Sequence, residues 1–131
     1  MKINGKHYRS IWPIGEDAFG IIDQTKLPHE FVTLTLRSAD DAARAIKTMQ
    51  TRGAPLIGAV GAYGLALAVR EDASDDAIQK MVEMLAETRP TAINLKWALW
   101  FMSAPRMRHN AHFRLMAVGR VSASISTIFW I

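Results

Sequence analysis

The strongest constraint on the fold lies in the middle of the chain, where Pro55 precedes a helix-like stretch made mostly of small residues. Gly58, Gly61 and Gly64 follow one another at steps of three, and alanines fill many of the positions around them. Each glycine costs about 1 kcal/mol relative to alanine in a helix interior. Close approach by a neighbouring backbone would compensate for that cost. The stretch therefore predicts a closely packed, buried helix from Pro55 to about Arg70.

The overall composition fits one globular domain. With 131 residues, of which 50% are hydrophobic and 21% charged, the chain is long enough to bury a core. It contains no cysteine, which excludes a disulfide framework, a thiolate nucleophile and a cysteine-based metal site. The first ten residues lack the apolar centre of a signal peptide, and the uncharged run from Gly53 to Val69 is broken by glycines and a proline. We therefore expect a cytoplasmic protein without a membrane span.

Several β-prone segments precede the helical part. The dipeptide Asn4-Gly5 lies between two short β-prone runs and predicts a hairpin, because both residues tolerate positive φ. We expect Pro13 and Gly15 to end this region. Two further strands are predicted over Phe19–Gln24 and Phe31–Leu36. These segments predict a small antiparallel sheet at the N-terminus.

Polar N-cap residues predict the remaining helices. Ser38 and Ser74 each stand shortly before a pair of aspartates, whose carboxylates favour the positive end of a helix dipole. Thr91 follows an Arg-Pro stop and is the candidate cap of the last helix. The predicted helices are Ala39–Gln50, Asp75–Glu87 and one from Ala92 onward. The predicted fold class is α+β, a small antiparallel N-terminal sheet followed by a helical subdomain.

The residues before the small-residue helix have the properties of an anion site. Pro55 suits the first turn of a helix, because the amide that it lacks would have no partner there. The amides of Gly53 and Ala54 would then point outward unpaired. Together with the helix dipole and the guanidinium of Arg52, they suit phosphate oxygens. Tight packing without any ligand stays open as the alternative, and the glycine spacing does not match the dinucleotide-binding fingerprint.

Four segments resemble the N-terminal part of the methylthioribose-1-phosphate isomerase family. They are GIIDQTKLP from Gly20, TRGAPLIG from Thr51, the small-residue helix, and RPTAINLKWAL from Arg89. The joint occurrence of RGAPLIG and RPTAINL at this separation is specific. Asp23, within the first segment, is predicted to be structural. The resemblance covers residues 1–99.

The resemblance implies an aldose–ketose isomerase of methionine salvage, and hence of methionine biosynthesis. The family converts 5-methylthioribose 1-phosphate to 5-methylthioribulose 1-phosphate as a homodimer. The matched positions imply that Arg52, Gly53, Ala54 and Arg89 bind this sugar phosphate, with no cofactor. The family's catalytic cysteine and aspartate belong to a C-terminal Rossmann-like α/β domain that these residues do not include. We therefore expect no catalytic residue here, and no isomerase activity from the 131 residues alone.

Two relatives of the same fold stay open as alternatives. One is a regulatory, non-catalytic subunit of the initiation factor 2B type, and the other is ribose-1,5-bisphosphate isomerase. The presence of both site arginines favours the methylthioribose-1-phosphate isomerase over the regulatory subunit. The bisphosphate isomerase shares the same turn, so the sequence discriminates weakly against it.

Residues 100–131 differ from the rest of the chain. All twelve carboxylates lie at or before Glu87, and we find no resemblance to the family after Leu99. We predict a boundary there, followed by a basic tail, with a shifted reading frame as one hypothesis. A nucleic-acid arm, a membrane-seeking apolar end and a metal pair at His109 and His112 are other interpretations. The tail has no known nucleic-acid motif, no spanning length and no third ligand, so we expect no nucleic acid, membrane or metal partner.

Overall fold

The protein is described by a computed structural model over residues 2–104, which form two small antiparallel sheets and a group of helices. The predicted α+β class is therefore confirmed. Residues 105–131 lie outside the described residues, and with them the interpretations of the tail, including His109 and His112. The strands are β1 (Lys2–Ile3), β2 (Lys6–His7), β3 (Ile11–Ile14), β4 (Ala18–Ile22) and β5 (Thr33–Leu36). The helices are α1 (Ala39–Lys47), α2 (Ala54–Glu71), α3 (Asp75–Glu87) and α4 (Ile93–Ser103).

The first hairpin has the geometry that its turn dipeptide predicts. Asn4 and Gly5 have φ values of 49° and 78°, and β1 pairs with β2 in antiparallel register. Of the two residues expected to end the segment, Pro13 instead lies within β3 opposite Phe19 of β4, whereas β3 does end directly before Gly15. Since β3 is an edge strand of the β3-β4-β5 sheet, a residue without an amide proton is tolerated there.

Strand β4 is the buried centre of the three-stranded sheet. All five of its residues are buried, and it pairs on one side with β3 and on the other with β5. It ends at Ile22, earlier than predicted, because the Gln24 amide leaves the sheet and donates to the carbonyl of Gln50 at 3.0 Å. Asp23 and Gln24 therefore stand at the end of a rigid strand, next to the connection between α1 and α2.

Helix α2 is the centre of the helical part and is buried over most of its length. A Cβ atom on Gly64 would lie 2.6 Å from the Cβ atom of Ala42 on α1, and one on Gly61 would collide with Leu95 of α4. The prediction of a closely packed helix is confirmed. The nearest atoms are mostly those of side chains, however, rather than of the neighbouring backbone that the sequence predicted. None of the helices in residues 2–104 combines the length and apolarity needed to cross a membrane.

Two helix starts are capped as predicted. The hydroxyl of Ser38 accepts a hydrogen bond from the Asp41 amide at 3.1 Å, and that of Ser74 accepts one from the Ala77 amide at 3.3 Å. Helix α3 has the predicted bounds. Helix α1 ends at Lys47, three residues earlier than predicted, because Met49 adopts a φ of 65° that a right-handed helix does not contain.

The prediction that Thr91 caps α4 is wrong. The N-cap is Ala92, and no side chain caps the helix. The Ala92 amide donates to the carbonyl of Arg89 at 2.9 Å, so a turn over residues 89–92 moves the start of the helix to Ile93.

Candidate anion-binding site

The connection between α1 and α2, residues 48–53, exposes the predicted anion-binding residues. Arg52, Gly53 and Ala54 are all exposed to solvent. Gly53 is the N-cap of α2, with a φ of 89°, and has no side chain to satisfy the first amides of the helix. Within residues 2–104, the amides of Arg52, Gly53 and Ala54 form no hydrogen bond. An exposed helix start with free amides and a positive dipole end favours an anion.

Arg89 reaches the same connection from a distant part of the chain. Its Nη1 atom lies in direct contact with the Sδ atom of Met49, across 40 residues of sequence. Met49 lies three residues before Arg52 on the same connection. The structure therefore holds the second predicted arginine against the segment that carries the first.

Both arginines keep an uncompensated positive charge within the described part of the chain. The ion pairs there join Arg37 to Asp17 and Arg44 to Asp41, and neither Arg52 nor Arg89 takes part in one. A guanidinium without an internal carboxylate partner retains its donors for an external anion, and its planar fork matches phosphate oxygens.

The four helix starts fall into two classes. Helices α1 and α3 have a serine N-cap and two aspartates in the first turn. Helices α2 and α4 have neither a side-chain cap nor an acidic residue in the first turn. The two uncapped helices are the ones that follow Arg52 and Arg89. The positive ends of these helices are thus left without a negative group of their own.

A hydrogen-bond network around the buried Asp23 joins the connection to the residues that follow β4. The side chain of Asp23 is 4% exposed. Its Oδ1 atom accepts from the amide and the hydroxyl of Thr25 at 2.9 and 2.6 Å, and its Oδ2 atom accepts from Nε2 of Gln50 at 3.3 Å. The main chain adds a bond of 3.0 Å from the Gln24 amide to the Gln50 carbonyl. Asp23 thus has a structural role, as predicted, whereas nothing in the sequence singled out Gln50.

Two hydroxyl groups are buried without a partner among residues 2–104. They belong to Thr51, which is 0% exposed, and to Tyr63 in the middle of α2. The Thr51 amide donates to the carbonyl of Ala45 at 3.2 Å, so this residue is fixed between α1 and Arg52. Burial raises the pKa of Tyr63, and the positive charge of Arg9 offsets part of that rise.

The groups at the connection are suited to binding an anion rather than to transforming it. The exposed groups are two guanidiniums and main-chain amides, all of which donate hydrogen bonds. The carboxylate of the supporting network, that of Asp23, is buried and already bonded. Nor do three histidine, aspartate or glutamate side chains come together as a metal centre would need anywhere in residues 2–104.

Comparison with known proteins identifies relatives of this chain. No family model matches it. It is 59% identical over 101 residues to a methylthioribose-1-phosphate isomerase of Paramagnetospirillum magneticum, which covers 76% of this chain and 28% of the relative. It is 50% identical over 127 residues to the methylthioribose-1-phosphate isomerase of Acidiphilium cryptum, which covers 95% of this chain and 35% of the relative. The second alignment includes residues beyond Leu99, so the boundary at Leu99 stays a prediction.

Two solved structures share the fold. The 5-methylthioribose 1-phosphate isomerase from Pyrococcus horikoshii has a TM-score of 0.78 and 29% identity, over 94% of this chain and 37% of its own. The delta subunit of the translation initiation factor eIF-2B from A. fulgidus has a TM-score of 0.77 and 32% identity, over 93% of this chain and 37% of its own. The family resemblance is therefore confirmed: this chain is homologous to methylthioribose-1-phosphate isomerases and spans about a third or less of their length.

Proposed function

We propose that Arg52, Gly53, Ala54 and Arg89 bind the phosphoryl group of a sugar 1-phosphate. The relatives' names support 5-methylthioribose 1-phosphate as that sugar phosphate and isomerisation as the reaction. The family resemblance implies 5-methylthioribulose 1-phosphate as the product and methionine salvage as the pathway. The protein would act in the cytoplasm as a homodimer and would use no cofactor. These 131 residues would supply part of the substrate-binding site.

One observation carries the proposal. The contact between Arg89 and Met49 brings a second unpaired guanidinium to the connection that already exposes Arg52 and the free amides at the start of α2. A phosphate monoester has three terminal oxygens that carry up to two negative charges. Two guanidinium forks and a helix N-terminus match that number of acceptors and that charge.

We further propose that the 131 residues bind the sugar phosphate without converting it. A phosphate on the anomeric carbon blocks spontaneous ring opening, so an isomerase must supply an acid and then move a hydrogen between the first two carbons. The exposed groups of the site are donors that bind and orient. The resemblance assigns the catalytic cysteine and aspartate to sequence outside these residues. Formation of 5-methylthioribulose 1-phosphate by the purified 131-residue chain would contradict this proposal.

Calorimetric titration of the chain with methylthioribose 1-phosphate tests the binding site. We expect saturable binding that is weakened about a hundredfold in Arg52→Ala and is also weakened in Arg89→Ala. Arg70→Ala is the matched control, because it removes an exposed arginine from the opposite end of α2. Equal binding by all the variants would overturn the assignment. Competition with ribose 1,5-bisphosphate, which carries a second phosphate, would separate the two isomerase specificities.

A second candidate is a regulatory subunit of the initiation factor 2B type. The observation that favours it is the similarity to the eIF-2B delta subunit, at 32% identity and nearly the same TM-score as the isomerase structure. A non-catalytic subunit would not require the arginine pair for a sugar phosphate. Absence of any sugar-phosphate binding in the titration would favour this candidate.

We also retain the division into residues 1–99 and a tail of residues 100–131 as a proposal. Helix α4 continues through Leu99 to Ser103, so the change in composition falls within a helix rather than at its end. The encoding DNA tests the hypothesis of a shifted reading frame. An alternative frame that resumes the family sequence after codon 99 would support it, and the lack of such a frame would exclude it.

A further inference from the structure

We infer that Asp23 and Gln50 are positioning residues for the anion-binding site. Their hydrogen bond fixes the segment that presents Arg52 and the free amides of Gly53 and Ala54. The inference rests on the proposed function, since it assigns these residues a role in phosphate binding beyond stabilising the fold. Neither residue touches the anion itself.

Gln50 is attached to the end of β4 by both its main chain and its side chain. The Gln24 amide donates to its carbonyl at 3.0 Å, and its Nε2 atom donates to Oδ2 of Asp23 at 3.3 Å. The Asp23 amide donates to the carbonyl of Val32, the residue directly before β5, at 2.8 Å. The sheet thereby holds a residue that lies two positions before Arg52.

The segment needs such an attachment because its backbone is unusual at two places. Met49 and Gly53 have φ values of 65° and 89°, on either side of Gln50 and Arg52. A methionine in this region is disfavoured and persists only where surrounding contacts hold it. The bonds to Gln50 and the bond from the Thr51 amide to Ala45 are the contacts that fix the chain between these two residues.

The Asp23 carboxylate is suited to this role by its burial. It is 4% exposed, and its two oxygen atoms accept three hydrogen bonds, two from Thr25 and one from Gln50. Breaking a hydrogen bond to a buried acceptor costs free energy, because the acceptor is left unsatisfied. The buried Asp23 carboxyl therefore holds the Gln50 side chain in one position more firmly than an exposed partner would.

A double-mutant cycle between Gln50→Leu and Arg52→Ala separates positioning from mere stabilisation. The probe is ribose 1-phosphate, titrated into the full 131-residue chain. We expect Gln50→Leu to weaken binding about fivefold in the wild-type background, and less than about twofold when Arg52 is already absent, because coupled residues are not additive. Gln79→Leu is the matched control, since it removes an exposed glutamine–carboxylate bond on α3. Equal losses in both backgrounds, or no loss at all, would overturn the inference.

Amide hydrogen exchange gives a second readout that does not depend on phosphate binding. In Gln50→Leu, we expect the amides of Gln24 and Thr51 to exchange about tenfold faster, while the amide of Leu67 inside α2 keeps its rate. A uniform increase at all three amides would indicate a general loss of stability and would contradict positioning. If the wild-type chain binds no ribose 1-phosphate, the proposed function fails. Faster exchange of the Gln24 and Thr51 amides alone would then show that Gln50 holds the segment in place, but the inferred role in phosphate binding would be overturned.

Discussion

The starts of α1 and α3 contrast with the start of α2. At the starts of α1 and α3, the hydroxyls of Ser38 and Ser74 each accept a hydrogen bond from an amide of the first turn. Each first turn also contains a pair of aspartates, whose negative charge stabilises the positive end of the helix dipole. At α2 the cap is Gly53, no acid follows in the first turn, and Arg52 adds a positive charge. The chain thus uses the ordinary means of stabilising a helix start where no ligand is expected. It omits them at the start of α2, directly after Arg52.

Loss of the arginine beside the uncapped start should have the largest effect. We expect Arg52→Ala to weaken binding of a sugar 1-phosphate about a hundredfold, because a charge-assisted bidentate contact contributes about 1.5–3 kcal/mol. The free energy of unfolding should change little, since the side chain is exposed and has no ion pair within residues 2–104. Calorimetry and urea unfolding measure the two quantities. A large loss of stability together with unchanged binding would break the contrast between the helix starts.

An acidic residue placed at the start of α2 should make this helix start resemble those of α1 and α3. We expect Ala54→Asp to weaken phosphate binding about tenfold, because the new carboxylate repels the anion and occupies the positive end of the helix. The same change should raise the free energy of unfolding by about 0.5 kcal/mol. Gln79→Glu adds the same charge on the exposed face of α3 and serves as the control. Unchanged affinity in Ala54→Asp would show that the anion does not meet this helix start.

Removal of a serine cap should lower the stability of the protein without changing its affinity for phosphate. We expect Ser38→Ala and Ser74→Ala each to lower the free energy of unfolding by about 1 kcal/mol, because an amide at the helix start loses its acceptor. Neither change should alter phosphate affinity. Chemical denaturation monitored by circular dichroism measures the first effect and calorimetry the second. A drop in affinity in either variant would mean that the capped starts also contribute to the site.

The smallest expected effect comes from removing the buried hydroxyl of Tyr63 in the middle of α2, far along the helix from its exposed start. Burial raises the pKa of Tyr63 above its ordinary value of 10.0, so the unfolded chain releases this proton first. The stability that it contributes is complete below pH 10.0 and is lost as the pH rises through the folded pKa. We expect Tyr63→Phe to reduce that alkaline loss and to change stability at neutral pH by only about 0.5 kcal/mol, since the hydroxyl has no partner among residues 2–104. Urea unfolding at about pH 8 and about pH 11 compares the two proteins.

Local signals in the sequence predicted the two serine-capped helix starts well, but not the start of α4 or the tertiary contacts of the site. The serine-plus-aspartate pattern places the start of α3 because each group acts on amides only a few residues away. The end of α1 was missed because the residue with the positive φ that ends it is a methionine, not the glycine or asparagine that would mark such a position. Similarly, the sequence predicted Arg89 as a site residue only through the family resemblance. Its contact with Met49 spans 40 residues and has no local signature.

The position of Gln50 is a second example. A buried strand followed by an aspartate is visible in the sequence, but the partner of that aspartate lies 27 residues away and is an ordinary glutamine. Nothing distinguishes such a residue until the fold brings it to the carboxylate. Predictions from sequence therefore identify groups that would bind an anion more readily than the groups that hold them in place.

The central claim is that the free amides at the start of α2 grip a phosphoryl group with the help of Arg52 and Arg89. An NMR titration of the ¹⁵N-labelled chain with ribose 1-phosphate tests it most directly. The account predicts saturable shifts of the Gly53 and Ala54 amides, no shift of the serine-bonded amides of Asp41 and Ala77, and loss of the response in Arg89→Ala. Unmoved Gly53 and Ala54 amides at saturating ribose 1-phosphate, or equal shifts at the capped helix starts, would contradict it.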